Sequence, residues 1–300
     1  MDMFHQSTSG QLKGAANILR IQPRVRCFRD RKRCAFTLVE LLMVSAVMAL
    51  LATTMAALAT TVQISNEQQI GRGEALQHGQ VAIERIERAL LGATANEQFP
   101  GFIVMSQTIN GATFPDTLVV WNPKGEPIDP SGLPRVNELV VFSPADGDAS
   151  RLLEMRDSTD PSQVPPIANV DEWADLISMM KSMAYYDYDY GYGTSTAVLT
   201  DLMRTAEVTT SSGQSLGKRA CIRFEQVLRP SASEWQSYKS GSTAWANLPW
   251  VLGVYGATTG QRQALCRIEL QLRPGDIDSN DKQAAIPFFG STAIYYQLER

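Results

Sequence analysis

The chain has 300 residues, a net charge of −4, 44% hydrophobic and 19% charged side chains, and only two histidines, His5 and His78. That balance is ordinary for a folded soluble part and carries no basic footprint for nucleic acid beyond the N-terminus. Two isolated imidazoles also exclude a histidine-based catalytic triad and a histidine-rich metal site.

Charge is unevenly placed along the chain. Arg20, Arg24, Arg26, Arg29, Arg31, Lys32 and Arg33 precede an apolar run, and between Phe36 and Asn66 the only charged side chain is Glu40. Leu41 to Asn66 holds no charge, proline or glycine, which at 1.5 Å per residue allows about 39 Å of helix, against about 30 Å for a bilayer core. The arginine cluster is expected to stay cytoplasmic and everything after residue 66 to lie outside the cytoplasm. A cleaved secretory signal is the competing reading, with Ala52, Ala56, Ala57 and Ala59 as a mimic of its small-residue site. Its apolar region would be only about 7–15 residues, shorter than this run.

A single glutamate inside the run calls for a reason. An ionised side chain at the centre of a membrane helix costs roughly 2.5–3.5 kcal/mol on insertion scales. Near the end, where Glu40 lies, the cost is smaller and snorkelling to the interface is one way to meet it. The whole string is more specific: Arg31-Lys32-Arg33-Cys34-Ala35, then Phe36-Thr37-Leu38-Val39-Glu40-Leu41-Leu42-Met43 and a long alanine-rich helix. It resembles the class III signal of type IV prepilins and type II secretion pseudopilins. The resemblance implies cleavage between Ala35 and Phe36 by a prepilin peptidase, N-methylation of Phe36, retention of the apolar helix, and pairing of Glu40 with the amino terminus of a neighbouring subunit. Attraction between such opposite charges is strengthened at low dielectric. Ala35 stands where the family usually has glycine, and a 35-residue leader is long for the class.

Beyond the membrane run, Leu76, Ile83, Ile86 and Leu90 recur at helical spacing, with Glu84 and Arg88 as an i,i+4 pair on the opposite face. This predicts an amphipathic stem over residues 67–95, with a local bend or melt at Gly71 and Gly73, since each glycine costs about 1 kcal/mol in a helix interior. Short β-like runs follow at Phe102–Ile109, Thr117–Trp121, Glu138–Phe142, Leu152–Met155, Cys221–Arg229, Leu265–Arg273 and Thr292–Leu298. Asp146-Gly147 between the third and fourth favours a hairpin turn. Asp171–Met183 and Ala197–Glu207 have more helical spacing and predict a helical insertion. The expected fold class is α+β: a long N-terminal transmembrane and amphipathic helix packed on a mainly antiparallel, pilin-like β head. The expected organisation is a cleaved leader at 1–35, a transmembrane helix at 36–66, the stem at 67–95 and an exported head at 96–300.

No Gly-Xaa-Ser-Xaa-Gly, Walker or Cys-Xaa-Xaa-Cys motif is present, and Gly71-Arg72-Gly73 lacks the remaining features of a dinucleotide fingerprint. No catalytic machinery is expected. Asp276, Asp278 and Asn280 alternate and Asp281 follows, a spacing of oxygens that can wrap calcium. The glycine and distal glutamate of an EF-hand loop are missing, so a solvated acidic turn outweighs a calcium site and no cofactor is expected. Tyr185 to Tyr190, with its interleaved aspartates, reads as a surface loop ahead of a recognition loop. Cys221 lies on the strand face opposite Ile222, Phe224 and Leu228, whereas Cys266 shares a face with Ile268, Leu270 and Leu272, which argues against a mutual disulfide.

The resemblance therefore implies a minor pilin or pseudopilin, a structural subunit for assembly rather than the bulk of a fibre. The stem from Gln80 to Leu90 looks like the J-type pseudopilin or the W-type minor pilin. Implied partners are sibling pilins, the prepilin peptidase and methylase, an inner-membrane assembly platform and lipid, with no nucleic acid. The implied location is the bacterial inner membrane, crossed once, with the N-terminus cytoplasmic and the head periplasmic. The alternative from another class is an exported enzyme or ligand-binding module on a prepilin-like anchor.

Overall fold

The computed structural model describes residues 37–109, 111–190, 194–209, 213–253, 258–274 and 285–298. The chain divides into two units, one ending at Leu58 and one from Ala59 onward. A single helix, α1 (Leu38–Leu91), crosses that division.

In the second unit the head is built from three antiparallel sheets. β1 (Phe102–Ile109), β2 (Ala112–Trp121), β3 (Leu139–Ala145), β4 (Asp148–Asp157) and β5 (Thr194–Thr200) form a five-stranded meander in chain order. The expected β3–β4 hairpin is present: Ala145 pairs with Asp148, and Gly147 takes φ +79° in the two-residue turn, where a Cβ would be strained. β6 (Thr205–Thr209) and β7 (Ser215–Ala220) form a two-stranded ribbon. β8 (Ile222–Arg229), β9 (Gln261–Leu272) and β10 (Ile286–Gln297) form a sheet with β9 in the centre. The helices α2 (Val170–Tyr190), α3 (Ala232–Lys239) and α4 (Pro249–Gly253) lie in the connections.

The five-stranded sheet is covered on both faces, which is why β2 and β3 read as continuous apolar runs instead of alternating ones. Leu118, Val120, Val140 and Phe142 face a core shared with Ile86 and Leu90 of α1 and with Phe224, Cys266, Ile268 and Leu270 of the β8–β9 pair. Val119, Trp121, Leu139 and Val141 face the other way and meet Trp173, Ile177 and Met180, at helical spacing on α2. Trp121 and Phe99 meet edge to face, with ring centroids 6.0 Å apart. A third cluster, Trp235, Tyr238, Trp245 and Trp250 with Leu298, packs α3 and α4 onto the end of β10. There Ser231 and Glu234 form a reciprocal capping box at the start of α3.

Four expectations are corrected. Tyr185 to Tyr190, expected as a surface loop, forms the last turns of α2. Ala197–Glu207 is not helical: it contributes to β5 and β6, because Val198 and Ala197 pair with Leu153 and Glu154 of β4, and β-branched Thr194, Thr196, Thr200, Thr205 and Thr209 suit extended backbone. α1 is helical through Gly71 and Gly73, so the expected local melt there does not occur; about 1 kcal/mol per glycine is not enough to open a turn inside so long a helix. The buried stripe of the stem is also smaller in its side chains than the spacing of large apolar residues suggested. It consists of Ala75, Gly79, Ala82, Ile86, Ala89 and Leu90, while Leu76 is 39% exposed. The Glu84–Arg88 pair forms at 2.6 Å on the solvent face.

Candidate functional site

α1 begins with a reciprocal cap. The first turn of a helix leaves backbone N–H groups without intrahelical partners, and Thr37 and Glu40 answer them as a Thr-Xaa-Xaa-Glu box. The Glu40 backbone N–H donates to Thr37 Oγ1 at 3.3 Å, and the Thr37 backbone N–H donates to Glu40 Oε2 at 3.1 Å. The Thr37 hydroxyl donates to the same carboxylate oxygen at 3.1 Å. A carboxylate at this position also faces the positive end of the helix dipole. Two ionised oxygens offer about four lone-pair sites, so the bonds from Thr37 leave capacity for a further donor.

From Leu38 to Ile70 every residue of α1 is exposed, including Leu41, Met43, Leu50, Met55, Leu58 and Val62. Exposed apolar surface on that scale is costly in water and favourable in hydrocarbon. α1 is the one helix among the described residues long and apolar enough to cross a membrane. Ser45, Thr53 and Thr54 donate their hydroxyls to the carbonyls three residues back, at 2.9, 2.8 and 2.9 Å, so these polar groups are satisfied within the helix.

The family described as the prokaryotic N-terminal methylation motif matches residues 30–56, which bracket the capping box and the first half of the apolar run. The chain carries a prepilin-type motif. The match supports a prepilin-type family, points to a structural, pilin-type protein, and implies processing by a prepilin peptidase and assembly with other pilins. With the long apolar helix, it accords with a single-pass, membrane-anchored pilin. Comparison with curated proteins and with solved structures finds no match.

Of the other residues singled out in the sequence, Ala35 and Phe36 lie outside the described residues, as does the loop with Asp276, Asp278, Asn280 and Asp281. Among the described residues no cluster of three potential metal ligands occurs. Cys221, just before β8, and Cys266, within β9, are free thiols. Cys266 sits opposite Gln226, whereas Cys221 precedes β8 and its carbonyl accepts the Gln271 N–H at 3.0 Å, so the two lie several residue pairs apart. Burial pushes the Cys266 thiol up to about 12, which keeps it protonated and unreactive. Cys221 is also raised by burial, with Arg204 and Arg219 partly opposing it.

Two features were missed in the sequence. Thr37-Xaa-Xaa-Glu40 is written in the sequence as a capping signature, the same carboxylate serving as the lone charge of the apolar run. The pair Asp116 and Lys181, by contrast, has no sequence signal: both are buried although 65 positions separate them in the chain. Loss of hydration pushes the Asp116 carboxyl upward, and the Lys181 charge and the Thr117 hydroxyl, which donates to Asp116 Oδ1 at 3.1 Å, oppose it.

Proposed function

We propose that this chain is a minor pilin or pseudopilin, a membrane-held subunit that enters a type II secretion pseudopilus or a type IV pilus and places a large head there. The observation that carries the reading is a prepilin-type motif leading directly into an exposed apolar helix whose continuation is packed into an α+β head. Peptide-bond cleavage between Ala35 and Phe36 would release the leader and its basic cluster, and methylation would fall on the new Phe36 amine. Glu40, four residues on, would then receive the amine of the next subunit while still capping its own helix. The size of the head and the stem sequence from Gln80 to Leu90 support a minor subunit of the J or W type rather than a bulk fibre subunit. The test is mass analysis of the N-terminus of the protein recovered from bacterial membranes, together with co-purification of sibling pilins. A methylated chain beginning at Phe36 and travelling with siblings is expected. A soluble chain beginning after residue 56 would establish a secretory precursor, and a correctly processed chain with no pilin partner would favour an anchored enzyme or ligand-binding module.

A further inference from the structure

A cavity of about 540 Å³ opens in the head where the β3–β4 turn approaches the β6–β7 ribbon, within the roughly 300–1,000 Å³ range of ligand-binding clefts. Its wall carries four basic side chains, Lys181 from α2, Lys218 and Arg219 from β7 and Arg273 beyond β9, against two carboxylates, Asp146 and Asp148. Both carboxylates are already engaged. Asp146 Oδ1 is 3.4 Å from Lys181 Nζ, and Asp148 Oδ2 is 3.1 Å from Arg151 Nε. Lys181, with only 9% of its side chain exposed, therefore has its charge answered from within the head.

Lys218, Arg219 and Arg273 form no ion pair among the described residues. Arg219 lies over the Phe114 ring at 4.5 Å, a contact that orients the guanidinium without neutralising it. Three cations without an ion-pair partner among the described residues lie on one concave wall, with only Glu207 standing across the ribbon from Lys218, and cations so gathered concentrate anions; two of them are arginines, whose planar fork matches a carboxylate in two parallel hydrogen bonds. The cavity is much larger than one small anion, and its cations come from two separate elements, so the complementary ligand carries several negative groups spaced along a chain.

We propose that this cavity docks an acidic peptide segment of a partner protein, its carboxylates received by Lys218, Arg219 and Arg273. The site lies wholly in the head and does not depend on how the N-terminus is processed. The test uses the full chain purified in uncharged detergent and titrated with fluorescent tetraglutamate at low and moderate salt, with inorganic phosphate as competitor. Saturable binding is expected, weakening as salt rises, and falling at least about tenfold in the double variant Lys218→Gln/Arg273→Gln. Arg223→Gln, an exposed change on β8 outside this cavity, should leave the affinity as it was. Should the double variant melt lower than wild type, Lys218→Gln alone, at an exposed position, is read in its place and should weaken binding. Absence of saturable binding, an equal loss in Arg223→Gln, or full displacement by phosphate at concentrations equal to the peptide would each overturn the proposal, the last by showing a site for simple anions.

Discussion

A carboxylate three residues into a helix meets backbone donors that no intrahelical carbonyl can reach, and Glu40 does this through Thr37. Its charge and its capping are separable by substitution. Glutamine keeps the acceptor for the Thr37 N–H and removes the charge, whereas leucine removes both. We predict that Glu40→Gln and Glu40→Leu both insert into the membrane, since losing a charge there relieves desolvation, and that both lose co-purification with sibling pilins. Membrane abundance of the two variants and their recovery with siblings decide this. If Glu40→Gln assembled like wild type while Glu40→Leu did not, capping and not charge would be the requirement. Asp116 provides a second prediction at this scale. Its carboxyl titrates above the ordinary value in the fold because burial disfavours the charged form. Its contribution to stability is therefore fully present below the unfolded value of about 3.9 and is lost as pH rises through the raised folded value. Relative to Asp116→Asn, wild type should melt comparatively higher at pH 3.5 than at pH 7. A difference that grows in favour of wild type toward neutral pH would mean that Lys181 outweighs desolvation.

At the scale of elements, legibility followed side-chain size. β1 to β4 and β8 to β10 stood out because large apolar runs announce burial, and the first helix because charge is missing from it for so long. The stem stripe did not stand out, because Ala75, Gly79, Ala82 and Ala89 score as weak hydrophobes although they are the residues that let strands approach the helix closely. β5 was hidden for another reason. It is an edge strand with a register shift opposite Leu152 and Leu153, so Val198 is 56% exposed while Leu199 is buried, and no clean alternation is written in the sequence. Gly79 shows what the small stripe does. A Cβ placed there would lie 2.3–2.5 Å from ring atoms of Phe288 on β10, so the ring rests directly on the helix backbone. Gly79→Ala would gain about 1 kcal/mol of helix propensity on an open surface, yet overpacking here should cost about 1–3 kcal/mol. The melting temperature of the detergent-solubilised chain should fall, and combining Gly79→Ala with Phe288→Ala should cost less than the sum of the two single changes. Strict additivity would show that the ring moves aside freely.

The whole molecule joins two segments of one helix with opposite solvent requirements, and the sequence marks where they exchange. Residues 38–70 are all exposed, whereas Ala75, Ala82, Ile86 and Leu90 are each 0% exposed and belong to the main core with strands of two sheets. The stem is thus part of the head's interior as fully as any strand. Burying Ile86 and Leu90 alone is worth about 1.5–3 kcal/mol each, against a total stability of only about 5–15 kcal/mol for a typical domain. The boundary that matters for folding therefore lies upstream of the stem stripe and not at the end of α1. A fragment comprising residues 59–300 should be soluble without detergent and should unfold at the same temperature as the head in the full chain. A fragment comprising residues 93–300 loses the helix side of the main core and exposes Leu118, Val120, Phe224 and Leu270, so it should aggregate or lack a cooperative transition. Thermal unfolding followed by tryptophan fluorescence distinguishes the two, because Trp121 and Trp173 are fully buried beside the five-stranded sheet. Cooperative melting of the shorter fragment at the longer one's temperature would show that the two sheets form the core unaided and that the stem merely rests on them.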